Sequence, residues 1–139
     1  MHVEAVLLPL FVQVALTFAL LMATAVLRRQ ALRAGLRSDE VSLGQPRWPQ
    51  RATQFANAFR NQLELPVLFY VLCVLAIITR QADYLLVALA WLFVLLRLAH
   101  AGIHVTYNRV EHRGLVFAFG CITLFTMLLL FAVDILVGV

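Results

Sequence analysis

Apolar runs broken by polar residues at helical spacing set the pattern of this chain. Residues 65–79 and 84–96 are almost continuously apolar. At about 1.5 Å of rise per residue, each is shorter than the ~30 Å hydrocarbon core of a bilayer. A spanning helix must therefore reach back through Glu64, Asn61, Arg60 and Asn57, and the next must run on through Arg97, His100 and His104. Each polar set follows the 3.6-residue period, so each occupies one helix face. Charged groups at that depth are costly and usually face a cavity or a partner.

The same pattern predicts four spans in one domain covering residues 1–139, at about 3–27, 52–79, 84–108 and 114–137. The first run is too long for a signal-peptide core and lacks a basic leading region, so it reads as a retained span. Its helix is expected to continue out of the bilayer through residues 28–33, with Gly35 as its stop. Residues 38–51 hold Gly44, Pro46, Trp48 and Pro49 and read as a loop. Residues 80–83 make a tight turn, and 109–113 a short connection. The predicted fold class is an all-α integral membrane four-helix bundle.

Composition excludes the soluble alternative. Hydrophobic residues make up 63% of the chain, more than a soluble domain of this size can cover. All eleven basic residues are Arg, a bias typical of a GC-rich bacterial genome and hence of an inner-membrane setting. Arg28, Arg29, Arg33, Arg37, Arg47 and Arg51 lie between spans one and two, and Arg109 and Arg113 between spans three and four. Only Arg80, offset by Asp83, lies on the other side. The positive-inside rule then places both basic loops in the cytoplasm and both termini outside it. Beside a span, the Arg28–Arg37 cluster reads as a topology signal and a contact for anionic lipids, and no nucleic-acid motif accompanies it.

The depths of the two stripes match. Glu64 is about 18 Å from the basic end of span two, and Arg97 about 16 Å from the basic end of span three. An Arg97–Glu64 pair, in direct contact or through a shared polar network, is feasible, with Arg60, Asn61, His100 and His104 lining a pocket below it. The arginines suit carboxylates or phosphates, Asn61 offers a donor and an acceptor, and Glu64 can hold an amino group. A zwitterionic, peptide-like ligand fits this mixture. A purely structural Arg97–Glu64 pair is the competing reading. His100 and His104 have metal-ligand spacing, but only Glu64 offers a third ligand and the arginines repel a cation, so no metal is expected. Cys73 and Cys121 read as packing residues. Phe117, Phe119, Phe125 and Phe131 read as packing or lipid-facing, and Asp134 as lying at the outer interface.

At these residues the chain resembles the MAPEG superfamily, the membrane-associated proteins in eicosanoid and glutathione metabolism. The likeness rests on Arg60-Asn61-Gln62-Leu63-Glu64, on Arg97-Leu98-Ala99-His100, and on Arg113 opening span four. It looks closest to uncharacterised bacterial members. The resemblance implies a homotrimer that binds glutathione as cosubstrate between subunits. It implies contacts from Arg60, Asn61, Glu64, His100 and Arg113, with Arg28 or Arg29 reaching in from span one. Arg97 and His104, on the same stripe, join the candidate binding set. Arg113 takes the position of the residue that stabilises the thiolate, and is the candidate catalytic group. Two positions depart from the family pattern: His104 and Phe117 stand where tyrosines are usual.

Three functions remain open on the sequence. The first is a glutathione-dependent transferase or peroxidase acting on small lipophilic electrophiles delivered by the membrane lipids. The second is a binding or structural protein that keeps the bundle without the chemistry. The third is a small proton-coupled exporter, for which a carboxylate paired with Arg97 would be a poor carrier.

Overall fold

The computed structural model describes residues 2–43 and 48–138. Gly44, Pro46 and Arg47, assigned above to the loop and its charge, lie outside the described residues. The elements are α1 (Val3–Arg33), α2 (Ser38–Val41), α3 (Gln50–Asn61), α4 (Leu65–Ile78), α5 (Tyr84–Val105) and α6 (Val110–Val137). Four stretches are long and apolar enough to cross a membrane: α1, α3 with α4, α5 and α6. The chain is a multi-pass membrane protein with a four-helix bundle.

Several boundaries move from their expected places, each for a local reason. The second span is not one helix over 52–79. It breaks at Gln62, Leu63 and Glu64, because Pro66 has no N–H and its ring would strike the carbonyl of Gln62 in a continuous helix. The break is closed by tighter i→i−3 bonds, Gln62 N to Phe59 O at 2.9 Å and Leu63 N to Arg60 O at 3.0 Å. The third span ends at Val105 rather than near Asn108, since Asn108 takes a left-handed φ of 52°. The last helix consequently starts at Val110, and Arg113 sits inside its first turn rather than before it. The expected loop at 38–51 contains the short helix α2, whose first turn carries Asp39 and Glu40.

The stop at Gly35 is as expected. Its φ is 110°, and Leu36 N reaches back to Ala31 O at 3.1 Å, closing a Schellman turn. The 80–83 turn closes the same way, with Gln81 N to Ala76 O at 3.0 Å; Asp83 then caps α5 by accepting from Leu86 N at 2.7 Å.

Packing falls into two apolar layers. One gathers Val6, Phe69, Phe93, Val94, Leu124 and Met127. The other, nearer the arginine-rich end, is built on Leu20, Ala58 and Ala101. The two alanines let α3 and α5 approach closely where no hydrophobic force separates helix from lipid. Along α1, the broken second span and α5, the same order recurs. Gln13 lies between Val6 and Leu20, Gln62 between Ala58 and Phe69, and Arg97 between Val94 and Ala101. A polar layer thus crosses the bundle between its two apolar halves.

Candidate functional site

The helix break shapes the site. Below it Asn61 ends α3, and within it Glu64 points outward. Arg97, 1% exposed, extends from α5 to this turn. Its Nη2 donates to the Asn61 side-chain oxygen and, at 3.4 Å, to the Asn61 backbone oxygen. The Asn61 amide nitrogen donates in turn to a Glu64 carboxylate oxygen at 3.0 Å. Of the two arrangements expected for Arg97 and Glu64, direct contact or a shared polar network, the structure has the second: Asn61 stands between the two charges and bonds to both. Among the described residues, no ion pair joins Glu64 to Arg97.

One turn further along α5, His100 and His104 are both buried. Their rings meet edge to face with centroids 5.7 Å apart. Phe117 covers this pair from α6, 5.7 Å from the His100 ring and 6.0 Å from the Arg97 guanidinium carbon. It packs on the polar group instead of facing lipid, whereas Phe119 and Phe125 are exposed. Arg113 stands at the rim, where its Nη1 donates to the Asn108 side-chain oxygen at 2.6 Å. The left-handed backbone of Asn108 thus sets the direction of Arg113.

Asn61, His100, Arg113, Gly114 and Phe117 line an open cavity of about 220 Å³. This is smaller than the ~300–1,000 Å³ usual for small-molecule sites. Several donors behind it lack partners. Arg97 Nε and Nη1, His100 Nδ1 and His104 Nδ1 are buried without a hydrogen bond among the described residues. Buried polar groups are normally satisfied, and the planar guanidinium is a group suited to carboxylate or phosphate oxygens.

The structure brings Asn61, Glu64, Arg97, His100, His104 and Arg113 together. It does not bring in the others. Arg60 is exposed on the outer face of α3, Arg29 is exposed on α1, and Arg28 stacks over the Trp48 ring at 5.0 Å. Helix direction explains this: Arg60 is one residue, or about 100°, around α3 from Asn61.

One pair in the polar layer was not anticipated from sequence. Gln13 and Gln62 are 0% and 1% exposed, and Gln13 Nε2 donates to Gln62 Oε1 at 2.6 Å. This bond ties the break to α1. The signal was present, since Gln13 is the one amide inside the first apolar run. Gln13→Leu should strand Gln62 Oε1 in the core and cost about 1–2 kcal/mol. Adding Gln62→Leu should restore part of it, as read by thermal melts in detergent. An unchanged melting temperature in the single variant would remove this role.

The comparisons bear on the whole arrangement. A family model described as MAPEG family matches residues 6–133. No curated protein and no solved structure matches. The match runs from α1 nearly to the end of α6, and so includes Gln13, the broken second span with its Asn61–Glu64 turn, the Arg97 stripe and Arg113. With four membrane-length helical stretches folded around that polar layer, the chain belongs to the MAPEG family.

Proposed function

We propose that the protein is a glutathione-dependent membrane transferase or peroxidase acting on lipophilic electrophiles. The observation that carries this reading is the cavity formed by Asn61, His100 and Arg113, backed by the buried Arg97 with two unpartnered nitrogens. Its donors suit the carboxylates of a tripeptide, and Glu64 suits an α-amino group. Arg113 holds a cation at the open rim, where a thiol from water would lie. A cation there favours the thiolate: the thiol proton leaves to water, and the sulfur lone pair forms the new C–S bond as the electrophile's leaving group departs. The apolar partner would come from the bilayer side.

The small volume in one protomer supports assembly, since a second chain would complete the walls. The proposed state is a homotrimer, a number that comes from the family. Calorimetry with reduced glutathione, against an oxidised control, tests binding, and native mass spectrometry tests assembly. Heat on binding and a trimer are expected. A monomer that binds glutathione with undiminished affinity would remove the shared site, and no binding at all would remove the function.

The arginine-rich end is proposed to face the cytoplasm of a bacterial inner membrane, with both termini on the far side. Reporter fusions after Val139 should report a non-cytoplasmic C-terminus; a cytoplasmic signal would reverse the orientation.

A second reading has one observation in its favour. Phe117 covers the cavity where the family pattern has a tyrosine, so no hydroxyl faces the thiol from that side. A protein that binds glutathione without activating it would show heat on binding but no ultraviolet thiolate signal near neutral pH.

A further inference from the structure

A second concave site lies at the arginine-rich end, on the face formed by α1 and α3 and away from the Asn61 cavity. It has a volume of about 330 Å³, and its lining includes Met22, Val26, Leu27, Gln30, Arg51 and Phe55. Its polarity is divided along the helix axis. Met22 and Val26 are exposed apolar side chains, and Gln30 follows about 12 Å further along α1 from Met22. Arg33, three residues on, falls on the same helix face and is exposed. The apolar part continues the lipid-facing surface of α1, and the polar part sits where the helix leaves the bilayer.

Arg51 is held in place at the polar part by two contacts. Its Nη1 donates to Val105 O at 3.3 Å, and its guanidinium carbon stands 5.2 Å from the Phe55 ring centre. A stacked, tethered guanidinium loses little freedom when its remaining N–H groups meet an oxyanion. Among the described residues, no carboxylate neutralises this end of the site. Among the described residues, the ion pairs at the arginine-rich end are Arg37–Asp39 and Arg109–Glu111. Arg33 and Arg51 are left without acidic partners, and no acidic residue lines the site.

We infer that this α1–α3 groove binds an anionic phospholipid, with its phosphate on Arg51, Arg33 and Gln30 and an acyl chain along Met22 and Val26. A free phosphate would leave the apolar wall unused. A zwitterionic lipid would bring an ammonium to a site that has cations and no carboxylate. The bilayer itself supplies the ligand, so the site is independent of the glutathione reading.

The test uses the full chain, delipidated in neutral detergent. Phosphatidylglycerol and phosphatidylcholine with identical acyl chains are added in parallel, with inorganic phosphate as a third arm. Native mass spectrometry reads retained adducts, and thermal melts read stabilisation. Phosphatidylglycerol should be retained and should raise the melting temperature; phosphatidylcholine and phosphate should do neither. Arg33→Gln should weaken apparent phosphatidylglycerol affinity about five-fold, the equivalent of about 1 kcal/mol per arginine. Arg33→Gln with Arg51→Gln should weaken it roughly 25-fold on the same scale. Should Arg51→Gln fail to fold for want of its bond to Val105, Val26→Trp fills the apolar wall without touching a charge and should also abolish retention. Equal retention of the two lipids, stabilisation by phosphate alone, or undiminished retention in Arg33→Gln and Val26→Trp would each overturn the site. A neighbouring protomer covering the groove would give no lipid preference, and so would overturn it as well.

Discussion

Asn61→Leu is expected to destabilise the protein far more than Glu64→Gln, although Glu64 carries the charge. Arg97 is 1% exposed, and among the described residues its hydrogen bonds go to Asn61 alone, through side chain and backbone. Replacing the Asn61 amide by an apolar group leaves an enclosed cation with only a long bond to a carbonyl. Losing a buried hydrogen bond to a charged group in this way costs about 1.5–3 kcal/mol. Glu64 is exposed and reaches Arg97 only through Asn61, and a glutamine in its place can still accept from the Asn61 amide. That change should cost under ~1 kcal/mol. The double change Asn61→Leu with Arg97→Leu removes charge and partner together and should recover part of the loss. Thermal melts of the four proteins in one detergent form the cycle. Strict additivity of the Asn61 and Arg97 effects would show that the two do not depend on each other.

Arg113→Ala should lower turnover of a model electrophile by about 10²–10³, the loss usual when one preorganised donor to a developing anion is removed. Glutathione binding should weaken much less, because Asn61, His100 and Arg97 remain. The ultraviolet thiolate signal of the bound complex should disappear with the turnover. Asn108→Ala should act in the same direction but more mildly, since it frees Arg113 without removing it. If Arg113→Ala loses binding and turnover in equal measure, Arg113 is a ligand contact and not a thiolate stabiliser.

The four spans and both polar stripes were legible in the sequence because their signals are periodic. Hydropathy marks a helix that must cross lipid, and a 3.6-residue spacing marks its face. The Gly35 stop was legible because only glycine takes that backbone readily. The helix break was written just as plainly, in Pro66, but the apolar continuity of residues 65–79 argued for an unbroken rod. Equal depth put Arg97 and Glu64 in one polar network, but with the break unread, Asn61 was not seen as the link between them. Equal depth along two helices places two groups in one layer; it does not say which way a turn will face them. The end of α5 and the start of α6 were misplaced because Asn108, the residue that turns the chain, lies among residues that otherwise tolerate helix. Gln13 stood out as a lone amide in an apolar run, but only its meeting with Gln62 across 49 positions gives it a role.

A continuous helix behaves as a stiff rod, so a push at one end arrives at the other. Joined through Gln62, Leu63 and Glu64, α3 and α4 behave as two short rods on a common pivot. Asn61 and Glu64 flank that joint, and the Gln13–Gln62 and Arg97–Asn61 bonds fasten it to α1 and α5, so the angle of the joint is set by the other spans.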